Sequence, residues 1–258
     1  VVFHKNKVVM KTFPYIDEYT TEDMTILEDL CSDMKNLEVF ESHEGALVRL
    51  FHWGDKWYVT THRKLNAFRS KWSCKDSFGT LFKRALDSEE KFNKDFAKLL
   101  PIGDNILGRF QTTLDTNNQY MFLIRNTEEN RIVCSAPKTP MVYHVGTYID
   151  GKLNMDHSCG IPKPEKKHFL NVDQLVKYVH DIDIRCLQGV ICFSGDYHFK
   201  VLNLDYKDLF EARGNEPSIK FRYCQIRMNR RMTNMLFHLY PNYATHFDDY
   251  ENCIFEIC

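Results

Sequence analysis

The chain has 258 residues, 43% hydrophobic and 27% charged, with a formal net charge of −1. That length suits one large domain or two modest ones. No apolar run approaches the roughly 18–20 residues of a membrane-spanning helix, so a soluble protein without a membrane partner is expected. The nine cysteines are scattered without a CxxC pair. They predict free thiols in a reducing, cytoplasmic setting, and neither a disulfide framework nor a zinc site.

The net charge conceals a segregation. Residues 41–84 hold nine Lys/Arg against four Asp/Glu, and residues 198–231 hold eight against four. From Asp17 to Asp33 there are seven acids and no base. Two basic blocks suit a polyanionic ligand, and the acidic stretch belongs off its path. The competing interpretation is a set of solvated helix and strand faces. Val1 to Lys5 starts in mid-pattern, with neither Met nor a signal peptide, and Ile254 to Cys258 ends in an apolar run. Both ends suggest a piece of a longer chain.

Thr20, the acids behind it, and Met24, Leu27, Leu30, Cys31 and Met34 predict a capped amphipathic helix over 20–36. Ala46 to Trp53 and Lys56 to Lys64 are β-rich runs about Gly54-Asp55, a hairpin signal. A helix over 77–100, interrupted near Asp87-Ser88, stops at Pro101. Tyr120 to Ala136 predicts strand, polar turn, strand, with Asn126 to Glu129 as the turn. Met141 to Leu153 predicts a hairpin turning at Asp150-Gly151, and 156–168 a loop. Asn171 opens a helix with Val172, Leu175, Val176 and Val179 on one face. Leu187 to Tyr206 is a hairpin about Gly195-Asp196. Ser218 to Met228 alternates Ile219, Phe221, Tyr223 and Gln225 with other residues, a strand pattern. Met232, Met235, Leu236 and Leu239 mark a last helix, stopped by Pro241. The sum is α+β: antiparallel β-sheets with flanking helices. Three regions are expected: 1–40, a core of 41–215, and an extension over 216–258.

Gln188-Gly189-Val190, then His198-Phe199-Lys200-Val201-Leu202, resembles the last two motifs of phage-type ATP-dependent RNA ligases. There, an E-G-V strand leads to a strand whose lysines hold nucleotide phosphates. Upstream, Ser42-His43-Glu44-Gly45 stands where that family has K-x-D-G, followed by the same strand-turn-strand layout. Phe122 to Val133 keeps the Asn-Arg-Ile-Val ending of a further motif at Asn130 to Val133. Four motifs thus match in order over roughly residues 40–210. The chain also looks like ligase-related proteins of giant DNA viruses. This resemblance implies a nucleotidyltransferase (ATP-grasp-like ligase) domain, with ATP and Mg²⁺ as cofactors and single-stranded RNA or RNA ends as substrate. It also implies a viral protein partner and a place in a viral factory or virion.

The departures fall on the catalytic letters. In the family, a lysine amine attacks the α-phosphate of ATP and forms lysyl-AMP. Ser42 occupies that lysine's place, and a serine needs a base to act; His43, adjacent on a strand, points to the other face. No glutamate stands near Leu123, Gln188 replaces a glutamate, and Leu202 replaces the second lysine. Lys64-Leu65-Asn66-Ala67 is a loose echo of K-x-D-G, so Lys64 is a candidate displaced nucleophile, a phosphate contact, or part of a surface stripe. Glu44, Gly45, Arg63, Lys64, Arg69, Lys71, Gln188 and Lys200 are the candidate nucleotide and phosphate contacts. Lys220, Arg222 and Arg227, interleaved with Phe221 and Tyr223, are candidate RNA contacts; a core strand with a solvated basic face competes. Trp53, Trp57 and Trp72 either stack on bases or pack in the core. Two classes follow. One is a catalytically degenerate binding module with a basic cleft, or a viral structural component. The other is an active RNA ligase using Lys64.

Overall fold

Strand alternation builds two stacked five-stranded sheets. The computed structural model describes residues 2–127, 132–195 and 197–257. The first sheet has the order β10 (Lys166–Lys167), β4 (Glu38–Ser42), β11 (Gly189–Ser194), β12 (Tyr197–Leu202), β3 (Asp17–Thr20). The second has the order β6 (Lys56–Thr61), β5 (Ala46–Trp53), β7 (Gln119–Arg125), β8 (Met141–Ile149), β9 (Lys152–Asn154). A small hairpin of β1 (Val2–His4) and β2 (Lys7–Met10) forms a separate two-stranded sheet that packs Val9 and Met10 on Phe51. Among the described residues every pairing is antiparallel except that of β12 with β3.

Each sheet buries both faces. Val39, Val190, Cys192, Phe199 and Val201 pack against α1 (Met24–Leu30) and α5 (Val172–Asp181). Val48, Leu50, Phe122 and Ile124 pack against α2 (Phe78–Phe92), α3 (Lys94–Leu99) and α4 (Ile106–Thr112). The opposite faces meet through Phe40, Met121, Phe193 and the inserted Phe13. The order of layers is therefore helices, sheet, sheet, helices. A third core, around Tyr206, Tyr223, Leu236 and Phe247, joins α6 (Leu204–Arg213), α7 (Ile219–Ile226), α8 (Arg230–Leu239) and α9 (Ala244–Ile257).

The α+β class and the hairpins at 54–55, 150–151 and 187–206 match the sequence expectation; Asp196 lies outside the described residues. Several elements differ. Ser218 to Met228 is a helix, not a strand: Ser218 Oγ accepts from Phe221 N at 3.2 Å, and Tyr223 and Ile226 are buried at helical spacing. Residues 20–36 form a shorter helix, because Thr20 pairs in β3 and donates through its N–H and hydroxyl to the Asp23 carboxylate. The 77–100 helix breaks at Asn93, not at 87–88; Asn93 Oδ1 caps α3 by accepting from Asp95 N and Phe96 N. Residues 132–136 are not a strand, and α4 and α9 were not anticipated. The expected 40/41 division falls within β4, and 215/216 falls between α6 and α7.

Gly189 illustrates how tightly the first sheet closes. Its φ is +152°, and a Cβ there would lie 2.0 Å from the Val201 carbonyl oxygen of the neighbouring strand. Gly189→Ala is expected to destabilise the fold by about 3 kcal/mol, since strain and overpacking act together. Urea unfolding checks this as a lowered midpoint.

Candidate functional site

The chain crosses from one sheet to the other at residues 43–45. Ser42 ends β4 and Ala46 begins β5. Gly45 is required at this step, since a Cβ would lie 2.6 Å from the Ile124 carbonyl oxygen. Ser42 pairs with Gly189 of β11, which places Gln188 beside it. The Gln188 side-chain amide donates to Ser42 Oγ at 2.8 Å and to the His43 carbonyl at 3.1 Å. Both side chains are buried and neutral. The Ser42 and Gln188 motif positions therefore meet, with a neutral side chain at each.

Glu44 is engaged on both oxygens. Oε1 accepts from Ile132 N at 2.9 Å; Oε2 accepts from Val133 N at 2.8 Å, Cys134 N at 3.1 Å and Tyr206 Oη at 3.1 Å. This is why 132–134 is not a strand: its amides serve a carboxylate. Burial and then the Glu44 charge push the Cys134 thiol up to about 12 and the Tyr206 phenol far above its usual range. Asn130 and Arg131 of the expected motif lie outside the described residues, as do Glu128 and Glu129.

His43 stacks on Tyr143, with ring centroids 4.5 Å apart and planes at 10°. Its Nε2 lies 3.6 Å from Glu41 Oε2. Burial, then the Arg125 charge, lowers its pKa from 6.5 to about 4, against the opposing pull of Glu41.

A cavity of about 230 Å³ opens beside the crossing. Its walls are mainly apolar: Trp72, Phe78, Leu81, Ile124 and Pro137, with Arg125 at one side. Glu44 and Gly45 line it; Arg63, Lys64, Arg69, Lys71, Gln188 and Lys200 do not. Arg63, Lys64, Arg69 and Lys71 are exposed on the connection from β6 to α2. The Lys64 echo of K-x-D-G is a turn: Thr61 N donates to the Lys64 carbonyl at 2.9 Å, and Asn66 Oδ1 accepts from Phe68 N at 2.9 Å. Lys200 lies in the other sheet, its amine on Glu18 of β3 at 3.1 Å.

The candidate RNA contacts lie on α7 and adjoining it. Arg227 forms an ion pair with Glu251 of α9, at 2.6 Å. With Tyr223, it lowers the Glu251 carboxyl to about 2. Arg222 donates to the Ala212 and Glu211 carbonyls, closing the end of α6. Lys220 sits 5.6 Å from the Tyr250 ring centroid. Trp72 faces the cavity and the Arg213 guanidinium, 5.4 Å from its ring. Trp57 packs on the core, and Trp53 is exposed beside His4.

Arg125, Arg49 and Arg213 were missed by the sequence reading. Arg49 alone carried a signal, a base set within the apolar run Val48-Arg49-Leu50.

No family model matches the chain. The chain is 31% identical over 253 residues to an "Immediate-early protein ICP-46 homolog" of Invertebrate iridescent virus 6, covering 91% of this chain and 54% of that protein. It is 28% identical over 206 residues to "Immediate-early protein ICP-46" of Frog virus 3, covering 75% of this chain and 51% of that one. The chain thus spans about half the length of the curated relatives it matches. Among solved structures, a Naegleria gruberi RNA ligase variant with AMP and Mn aligns with a TM-score of 0.48 at 12% identity, over 77% of this chain and 57% of that one. The same ligase with PPi aligns with a TM-score of 0.48 at 11% identity, over 78% and 59%.

Two outcomes are expected from this site. Glu44→Ala should cost about 3 kcal/mol in urea unfolding, since several donors lose a charged acceptor, and hydrogen exchange at the amides of 132–134 should speed up. His43 gives an acid-side signature. Its folded pKa, about 4, lies below the 6.5 of the unfolded chain. The unfolded chain takes up the proton first, so stability falls as pH drops from about 6.5 to about 4, by about 3 kcal/mol. His43→Gln should flatten that part of a stability-against-pH curve.

Proposed function

We propose that this chain is a catalytically degenerate module of the ligase-type nucleotidyltransferase fold, which holds RNA ends or nucleotide phosphates without forming lysyl-AMP. The contact of Ser42 with Gln188 at 2.8 Å carries this reading. It joins the positions where the resembled ligases keep a nucleophilic lysine and a glutamate, and both groups here are neutral. A carboxamide is not a nucleophile, the Ser42 hydroxyl meets that carboxamide rather than a base, and neither group supplies charge to balance a divalent ion. The four hydrogen bonds on Glu44 further occupy the acid of that region. The residues present therefore do not fit a Mg²⁺ site of their own, although substrate phosphates are themselves magnesium ligands.

The apolar cavity beside Gly45 suits a flat base, with Arg125 placed for an acceptor. The exposed Arg63, Lys64, Arg69 and Lys71 supply a path for a phosphate backbone, and Lys71 directly precedes the cavity residue Trp72. The relatives' names favour a role in viral infection, with action in the infected cell and a viral partner as parts of this proposal. The Lys64 nucleophile has no comparable support, because Lys64 sits outside the cavity wall.

The test is incubation with α-labelled ATP and Mg²⁺, followed by denaturing electrophoresis. No labelled protein band is expected. A band that disappears in Lys64→Ala would reverse the reading in favour of an active ligase. In parallel, anisotropy with single-stranded RNA should show binding that weakens steeply between low and moderate salt. The combined Arg63→Ala and Lys71→Ala change should weaken it by roughly 1–3 kcal/mol. Absence of binding at low salt would remove the RNA part of the proposal.

A further inference from the structure

Arg49 is a buried cation without an anion. It is 4% exposed, in the middle of β5, on the face it shares with Leu47, which packs between the sheets, and Phe51, which packs under the β1–β2 hairpin. Among the described residues it has no carboxylate partner. Its one side-chain hydrogen bond runs from Nη2 to His62 Nδ1, at 2.9 Å, and its buried Nε has no acceptor. Buried charges are normally paired, because leaving water is costly. Thr60, directly across the β5–β6 ladder, adds a buried hydroxyl that also lacks a partner. Cross-strand neighbours of this kind have Cβ atoms roughly 5 Å apart. Arg49 and Thr60 therefore converge with unused hydrogen-bonding capacity, beside a His62 whose two ring nitrogens meet Arg49 and Tyr15.

One exposed residue caps His62, the outermost of these groups. His62 Nε2 meets Tyr15 Oη at 2.8 Å, and the two rings pack edge to face at 4.9 Å. Tyr15 is 83% exposed. It belongs to a strap over residues 11–16, whose Lys11 N–H donates to Gln119 Oε1 and whose Phe13 is buried between the sheets. The strap is thus fixed at Phe13, while Tyr15 adds one hydrogen bond and one ring contact.

We propose that Arg49, Thr60 and His62 form a site for a phosphoryl dianion, and that Tyr15 is the cover an incoming phosphate displaces. The anion supplies what Arg49 lacks: acceptors for Nε and Nη in a charge-assisted pair. Thr60 Oγ1 donates a further bond, and His62 turns from Tyr15 to the phosphate. Exposed Arg63, next to His62, adds attraction at the mouth. This site is separate from the cavity lined by Trp72 and stands or falls independently of the RNA reading.

The probe is inorganic phosphate, titrated against the chain at constant ionic strength with chloride as the balancing anion. Binding is read from the Tyr15 and His62 side-chain NMR signals and from the melting temperature. The wild type should saturate, with both residues' signals shifting together. Tyr15→Ala should bind several-fold more tightly, since it removes the competing cover and alters only an exposed side chain. Arg49→Gln should weaken binding roughly tenfold. Unchanged affinity in Tyr15→Ala, or a phosphate response equal in the wild type and Arg49→Gln, would overturn the proposal. If Arg49→Gln does not fold, the Tyr15→Ala titration decides alone. An oligonucleotide compared with and without a terminal phosphate separates the sources. A preference for the phosphorylated form assigns the site to a chain end; binding of inorganic phosphate alone assigns it to the free ion; neither overturns it.

Discussion

The carboxylate of Glu44 is the point through which the parts of this molecule are joined. It sits on the three-residue crossing between the sheets, accepts from consecutive amides of 132–134, and accepts from Tyr206 of α6. One side chain therefore ties the sheet crossing, the cavity wall and the helical third core. The arrangement depends on Gly45 beside it, since a side chain there would collide with the Ile124 carbonyl. An anion met by several donors is a strong local constraint, because charge-assisted bonds exceed neutral ones and their loss leaves several orphan amides.

The C-terminal helices use their charges in the same inward manner. Arg213 is fully buried, between the rings of Trp72 and Tyr240, and donates to Tyr240 Oη at 2.9 Å. Arg222 and Arg227 close α6 and hold α9. A basic block in the sequence is thus divided by the fold. The part between β6 and α2 faces solvent; the part on α7 is largely committed to the protein's own carbonyls and acids.

The second sheet and the β11–β12 hairpin were legible in the sequence because their signals are local, whereas β3, β4 and β10 carry no such signal. Val48, Leu50 and Phe51 sit in a β-rich run, and Gly54, Gly151 and Gly195 mark turns that a few residues define. The α7 helix was not legible, because Ile219, Phe221 and Tyr223 satisfy a two-residue period while Tyr223 and Ile226 satisfy a helical one. Only packing against α8 and α9 decides between them, and that packing is remote in sequence. The site divides in the same way. Ser42, Gln188, Glu44 and Gly45 could be placed through motif order. That the Glu44 acid serves amides of 132–134, and that Lys200 serves Glu18, depends on contacts between elements 88 to 182 positions apart.

The acidic stretch near the N-terminus has a consequence beyond its sign. Strand β3 is the outer strand of the first sheet, and it pairs in parallel with β12. Its Asp17 accepts from Tyr197 Oη, and Glu18 holds Lys200. Without β3, the β12 backbone, among the most apolar in the sheet, would become a row of open donors and acceptors. Such a row templates the addition of a strand from another molecule. Charged side chains on the last strand, Asp17 and the Glu18–Lys200 pair, are the kind of edge that disfavours addition of a further strand. The segment thus keeps the β12 edge covered by the protein's own chain.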